Sequence, residues 1–191
     1  MLLPEFDMEM SKTRQMLERV PEDKFGWKPH PKSMTLGRLA GHIAEMPGWA
    51  PYTFNTDRLD IEPVNGPKFE SPKIESRQDL LTTFDKNVKD ARASIEKASD
   101  ESLGQPWTLL VGGKEIFTMP RLGVLRSMIM NHVIHHRAHN TISCGIAIRL
   151  SEFTGSADST QIQIRSIIEC RSASRRGVGA MIWRLRWESA S

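Results

Sequence analysis

Phe6, Met10, Thr13, Leu17 and Val20 recur at alternating spacings of four and three. This is the stripe of an amphipathic helix, and Pro4 suits its first turn. The stretch VPEDKFGWKPHPKSMT, 20–35, is broken by Pro21, Pro29 and Pro31 and reads as a loop whose Phe25 and Trp27 tuck over a core edge. Ser33 or Thr35 caps a second helix through Leu36, Leu39, Ile43 and Met46, which Pro47 kinks or ends. From Asp57 to Pro72 proline, glycine and charge follow no period, so this is a long connection between helices that no tight turn can join. Ser76 caps a third helix carrying Leu81, Phe84, Val88, Ala91, Ile95 and Ala98 at helical spacing. In WTLLVGGKEIFTM, 107–119, a Gly-Gly pair between two β-prone runs predicts a small hairpin or an irregular loop. Pro120 then opens a fourth helix. Its seam runs Leu122, Leu125, Ile129, His132, His136, His139, Ser143, so an apolar stripe turns into histidine halfway along. Four long helical patterns with one long crossover predict an all-α four-helix bundle over 1–150, followed by a C-terminal tail, 151–191.

Composition narrows the chemistry. The 191 residues suffice for one self-sufficient core. No apolar run is long enough to span a bilayer, and MLLPEFDMEM lacks the basic flank of a secretory signal, so the expectation is a cytoplasmic protein. Two cysteines, Cys144 and Cys170, without CxxC spacing indicate neither a disulfide framework nor a thiolate zinc site. A metal here would be held by nitrogen and oxygen. The net charge of +3 comes from the end of the chain, because residues 149–191 hold seven basic and four acidic side chains while 1–148 hold 19 of each. All seven of those basic residues are arginine.

The histidines are concentrated. Four of the six fall in NHVIHHRAHN, 131–140. On a helix His132 and His136 point within about 40° of each other, one turn apart, and two such imidazoles can converge on one ion. They also occupy seam positions, where unligated ring nitrogens would need other partners. A third ligand is required, and His42 in LAGHIAEM is the leading candidate, with His30 in its proline-flanked loop behind it and His139 in reserve. His135 lies about 100° around the helix from His136 and is assigned a structural role. His139, one turn beyond His136, is assigned to the surroundings of the ion or to the substrate, and Glu45 and Asn131 are natural partners for imidazole N–H groups. No glutamate lies inside the HxxxH, so protease chemistry is not supported. The GGK at 112–114 lacks the spacing of a phosphate loop and is read as a turn.

With LGRLAGHIAEMPGWA and PRLGVLRSMIMNHVIHHRAHN, in that order and spacing, the chain resembles the DinB/YfiT-like family of metalloenzymes over roughly residues 1–140. The resemblance implies an up-down-down-up bundle in which His42, His132 and His136 hold a divalent cation, zinc or nickel. It departs from the family at HHRAHN, where His139 stands in place of the usual glutamine, and again in the tail, which is atypical and read as disordered or as translated in a shifted frame.

A cation with three histidine ligands can activate a water or a thiol at its open position. The first functional reading is therefore a metal-dependent thiol transferase or hydrolase, with a small-molecule substrate, a low-molecular-weight thiol as co-substrate, and His139 or Glu45 in proton transfer. The second is a non-catalytic metal-binding stress protein, a homodimer on its helix faces. The third is nucleic-acid binding through RSASRRG and WRLRW in the tail, which the neutral main body argues against.

Overall fold

The computed structural model describes residues 2–68 and 71–152. The chain divides into two units after Ala147, and the packing below concerns the first. From residue 153 on, the expectations for the tail, its reading frame and its arginine-rich motifs lie outside the described residues.

The protein is mostly helical. Helix α1, Leu2–Leu17, buries Phe6, Met10, Thr13 and Leu17 as its spacing requires, and Val20 is buried just after it. The following loop closes over the start of helix α2, Leu36–Glu45: Leu36 N–H donates to the Trp27 carbonyl and Gly37 N–H to that of Phe25. A side chain at 37 would meet Phe25 at 3.0 Å, so the close approach needs glycine. Thr35, not Ser33, is the cap, its hydroxyl accepting from Arg38 N–H at 3.1 Å. Pro47 does not end the helical path. One tight 3₁₀ turn, Met46–Gly48, carries the chain into helix α3, Trp49–Asn55.

Helix α4, Arg77–Lys97, opens with a capping box between Ser76 and Asp79 and packs against α1, α2 and α3. Its buried row is Leu80, Phe84, Ala91 and Ile95, with Leu80 taking the place expected of Leu81. After the short helix α5, Asp100–Gly104, comes the hairpin that Gly112-Gly113 announces: β2, Pro106–Val111, antiparallel to β3, Lys114–Pro120. Both turn glycines have positive φ, +60° and +77°, a backbone conformation that residues bearing a Cβ rarely adopt and that suits the right-handed twist of the strands.

Here the all-α expectation holds only in part. Within the connection read as irregular, Arg58–Asp60 forms a strand, β1, parallel to β2, completing a sheet in the order β1-β2-β3. The Asp60 carboxylate fixes it by accepting from Gly112 N–H at 3.1 Å and Gly113 N–H at 2.7 Å. A three-residue strand has no period of its own and exists because β2 offers it an edge.

The last helical segment starts with helix α6, Arg121–Gly123, continues as a wide π-helical stretch, Val124–Met130, and becomes helix α7, Asn131–Glu152. In the wide turn Asn131 N–H reaches back five residues to the Arg126 carbonyl. The extra residue moves the seam. Leu122, expected at its start, is 39% exposed, whereas Leu125, Ile129, Val133, His136 and Asn140 line the core. His132 and His139 flank that line half-buried.

Candidate metal centre

Two helices build the site. His42 lies on α2 in the turn after Leu39, and His132 and His136 lie one turn apart on α7. Nε2 of His42 and Nε2 of His132 are 3.4 Å apart. The ring centroids are 5.2 Å apart for His42 and His132, 5.0 Å for His42 and His136, and 4.6 Å for His132 and His136. Each ring offers a nitrogen within 4.8 Å of the others. A tetrahedral ion with metal–nitrogen bonds of 2.0–2.1 Å sets its ligand nitrogens about 3.3 Å apart, so the separation of the first pair is that of two ligands of one ion. The triad could hold a metal ion. His30 is elsewhere, its Nδ1 accepting from Lys32 N–H at 3.1 Å in a local turn.

The sequence profile of the DinB superfamily matches residues 5–139, a span that holds all three histidines. The chain belongs to the DinB superfamily. The fold agrees: a DinB-like protein from Bacillus subtilis superposes with TM-score 0.54 at 17% identity, covering 73% of this chain and 87% of that one. A DinB-like protein from Bacillus cereus gives the same TM-score at 20% identity over 81% and 93%. No curated protein matches the chain.

Around the triad, this DinB-superfamily chain supplies a polar bracket that sequence reasoning found only in part. Glu45, one turn after His42 and 4% exposed, brings Oε2 to 3.8 Å from His42 Nδ1. Arg38 donates to the other carboxylate oxygen at 3.1 Å and to Ser71 Oγ at 3.2 Å, and Ser71 donates to Glu45 Oε2 at 3.4 Å. The carboxylate therefore faces the Nδ1 edge of His42 and favours the tautomer that leaves Nε2 for an ion. Arg38 was detectable from its place two turns before Glu45 on the same helix face. Ser71 was not, because it sits in the long connection. Asn131, a candidate partner of the imidazoles, is exposed.

Glu45→Gln keeps the shape and removes the charge behind His42. Its expected effect is a loss of about 10–100-fold in zinc or nickel affinity, measured by competition with a chromophoric chelator. Unchanged affinity would mean that Glu45 serves only Arg38.

His136 is fully buried, and burial first, then the neighbouring His132, His42, His135 and His139, holds its pKa far below the ordinary 6.5. It is neutral at any physiological pH, as a metal ligand must be. In the metal-free protein the unfolded chain takes up a proton at this residue near 6.5 while the folded chain resists it. Below that pH the unfolded state thus binds more protons, and stability falls on acidification by up to about 1.4 kcal/mol per pH unit from this group. Urea unfolding of the metal-free protein at pH 7 and pH 5 checks this: equal stabilities would contradict it.

His135 is exposed, in keeping with its sideways direction, and His139 is half-buried with its ring 6.0 Å from that of His136. Cys144, two turns beyond His136, is no candidate nucleophile. Burial pushes its thiol up to about 11, and it donates to Asn140 Oδ1 at 3.1 Å. Arg137, next to His136, turns the other way, donating to the Glu9 carbonyl at 3.0 Å, to Thr13 Oγ1 at 3.1 Å and to the Glu9 carboxylate at 2.6 Å. It ties α7 to α1.

Proposed function

We propose that this chain is a divalent-metal-dependent enzyme, built on an up-down-down-up four-helix bundle, whose ion is held by His42, His132 and His136. The observation that carries the reading is the 3.4 Å separation of Nε2 atoms from two different helices, the spacing of two ligands on one tetrahedral ion, with a third imidazole in reach. Neutral imidazoles favour late first-row cations, zinc or nickel here. Bound at such a site, the cation supplies Lewis acidity that makes a water or a low-molecular-weight thiol nucleophilic near neutral pH.

The chain's own side chains divide the remaining work. Glu45, braced by Arg38 and Ser71, orients His42. The core holds His136 neutral, so its lone pair is available. His132, half-buried, borders the side from which substrate approaches. We assign proton transfer to His139, which lies beside His136 and is open to solvent on its outer edge. The reaction classes that fit are thiol transfer to an electrophile and hydrolysis.

The second reading is a metal-binding protein without catalysis.

The experiment is the metal content of the protein as purified, beside that of a His132→Ala, His136→Ala double variant. About one equivalent of zinc or nickel in the first and none in the second is the expected result. A wild-type protein that carries no metal and cannot be loaded with either would refute the proposal, and a loaded protein inert toward thiol plus electrophile panels and hydrolysable esters would leave the second reading in its place.

A further inference from the structure

The proposed centre uses His42, His132 and His136, yet α7 carries two more imidazoles that it does not use as ligands. His135 and His139 are one turn apart, their ring centroids are 4.3 Å from each other, and together with His136 they form a second group whose ligand nitrogens lie within 4.8 Å of one another. Two helical imidazoles at i and i+4 can chelate one cation after small rotations about their χ angles. The two groups differ in depth. His135 is exposed and His139 half-buried, whereas His136 is 0% and His42 7% exposed.

We propose that His135 and His139 form a second, solvent-facing site for a divalent late first-row cation, and that this site loads the buried triad through His136. The sharing of His136 decides between a store and a feeder. A neutral imidazole has one lone pair and serves one ion at a time, so the outer and inner triads cannot both be complete. An ion gripped outside by His135 and His139 gains its third nitrogen from His136, and a turn of that ligand from outer to inner ion position leaves it with His42 and His132 on the buried side. The inner site wins at equilibrium because Glu45 orients His42, while nothing comparable among the described residues braces His135. Rates, by contrast, are set where water is shed, and the exposed pair exchanges water for imidazole one ligand at a time.

The inference rests on the buried triad being a metal site only in its loading step, and the experiment separates the two. Apo protein is mixed with cobalt(II) or nickel(II) in a stopped-flow spectrometer, and equilibrium stoichiometry is read in parallel, for wild type, His135→Ala/His139→Ala, His42→Ala, and the triple variant. His135→Ala/His139→Ala is expected to end at the wild-type inner-site stoichiometry but to load several-fold more slowly. His42→Ala is expected to retain weaker binding that falls several-fold further in the triple variant, where only the His132 and His136 pair is left. Equal loading rates in wild type and His135→Ala/His139→Ala, or no difference between His42→Ala and the triple variant, would overturn the proposal. Identical binding by wild type and His42→Ala would instead overturn the inner centre, and the outer site would then stand or fall on its own pair of substitutions. Both substituted side chains reach solvent, so neither change opens the core.

Discussion

His42→Ala is expected to abolish the rise in thermal stability that the proposed cation gives the wild type. A cation that binds the folded triad and not the unfolded chain stabilises by RT ln(1 + [L]/Kd), about 4.1 kcal/mol at a thousandfold excess over Kd. For a folded unit near 150 residues each kcal/mol moves the midpoint by about 2–4 °C, so saturating zinc or nickel raises it by about 8–16 °C in the wild type. The substitution takes away the one proposed ligand from α2, and with it the link that an ion would make between that helix and α7. Its cost in affinity exceeds the about 10–100-fold that goes with losing a group behind a ligand. Thermal scans with EDTA and with excess metal decide it. The expected pattern is a large rise in the wild type and little or none in His42→Ala, with similar midpoints for both in EDTA. An equal rise in both proteins would place the ion elsewhere.

Arg137→Met should be the most damaging single change outside the triad. The Arg137 side chain is 19% exposed and that of Glu9 12%, with 2.6 Å between guanidinium and carboxylate. Removing one partner leaves the other charge in a poorly hydrated place, which costs about 3–5 kcal/mol for a buried pair. The Glu9 carboxylate keeps Lys12 at 3.6 Å, and the pair retains some solvent, so the lower end, about 3 kcal/mol, is expected. The cost also includes two lost bonds to the Glu9 carbonyl and Thr13 on α1, which fix the rotation of α7 next to His136. Urea unfolding measures the loss, and Glu9→Gln in the same background should recover part of it by removing the stranded charge. If Arg137→Met unfolds at the wild-type urea midpoint, the pair is not what holds α7 to α1.

Much of the candidate site was legible because its signals were local. His132 and His136 are a turn apart on a helix whose phase Leu125 and Ile129 announce, and the His42 position follows from the stripe through Leu39 and Ile43. What could not be read depended on partners distant in sequence. β1 consists of Arg58, Leu59 and Asp60, which look like any polar loop until β2 supplies the edge that pairs them. Ser71 reaches Glu45 only because the connection doubles back over α2. The exposure of Leu122 is a register effect: a strict three-four count assumes 3.6 residues per turn, and the wide turn before α7 breaks that assumption. Leu80 and Leu81 stand four and three residues before Phe84, so helical spacing alone does not choose between them. The profile match and the shared fold extend the local reading to the whole unit, while reaction and substrate rest on the proposal.

That wide turn has a consequence for how the chain tolerates changes in length. A π-helical stretch is an α-helix holding one residue too many, with the surplus confined to a bulge so that the helix beyond it keeps its phase. Between Val124 and Met130, therefore, the loss of a single residue can be absorbed by reverting to a regular helix, with the imidazoles still facing α2. The same loss between His132 and His136 has no surplus to draw on and would swing one imidazole by about 100° away from the other. The bulge acts as a buffer placed upstream of the one segment whose register cannot drift, and natural length variation in this helix should collect there.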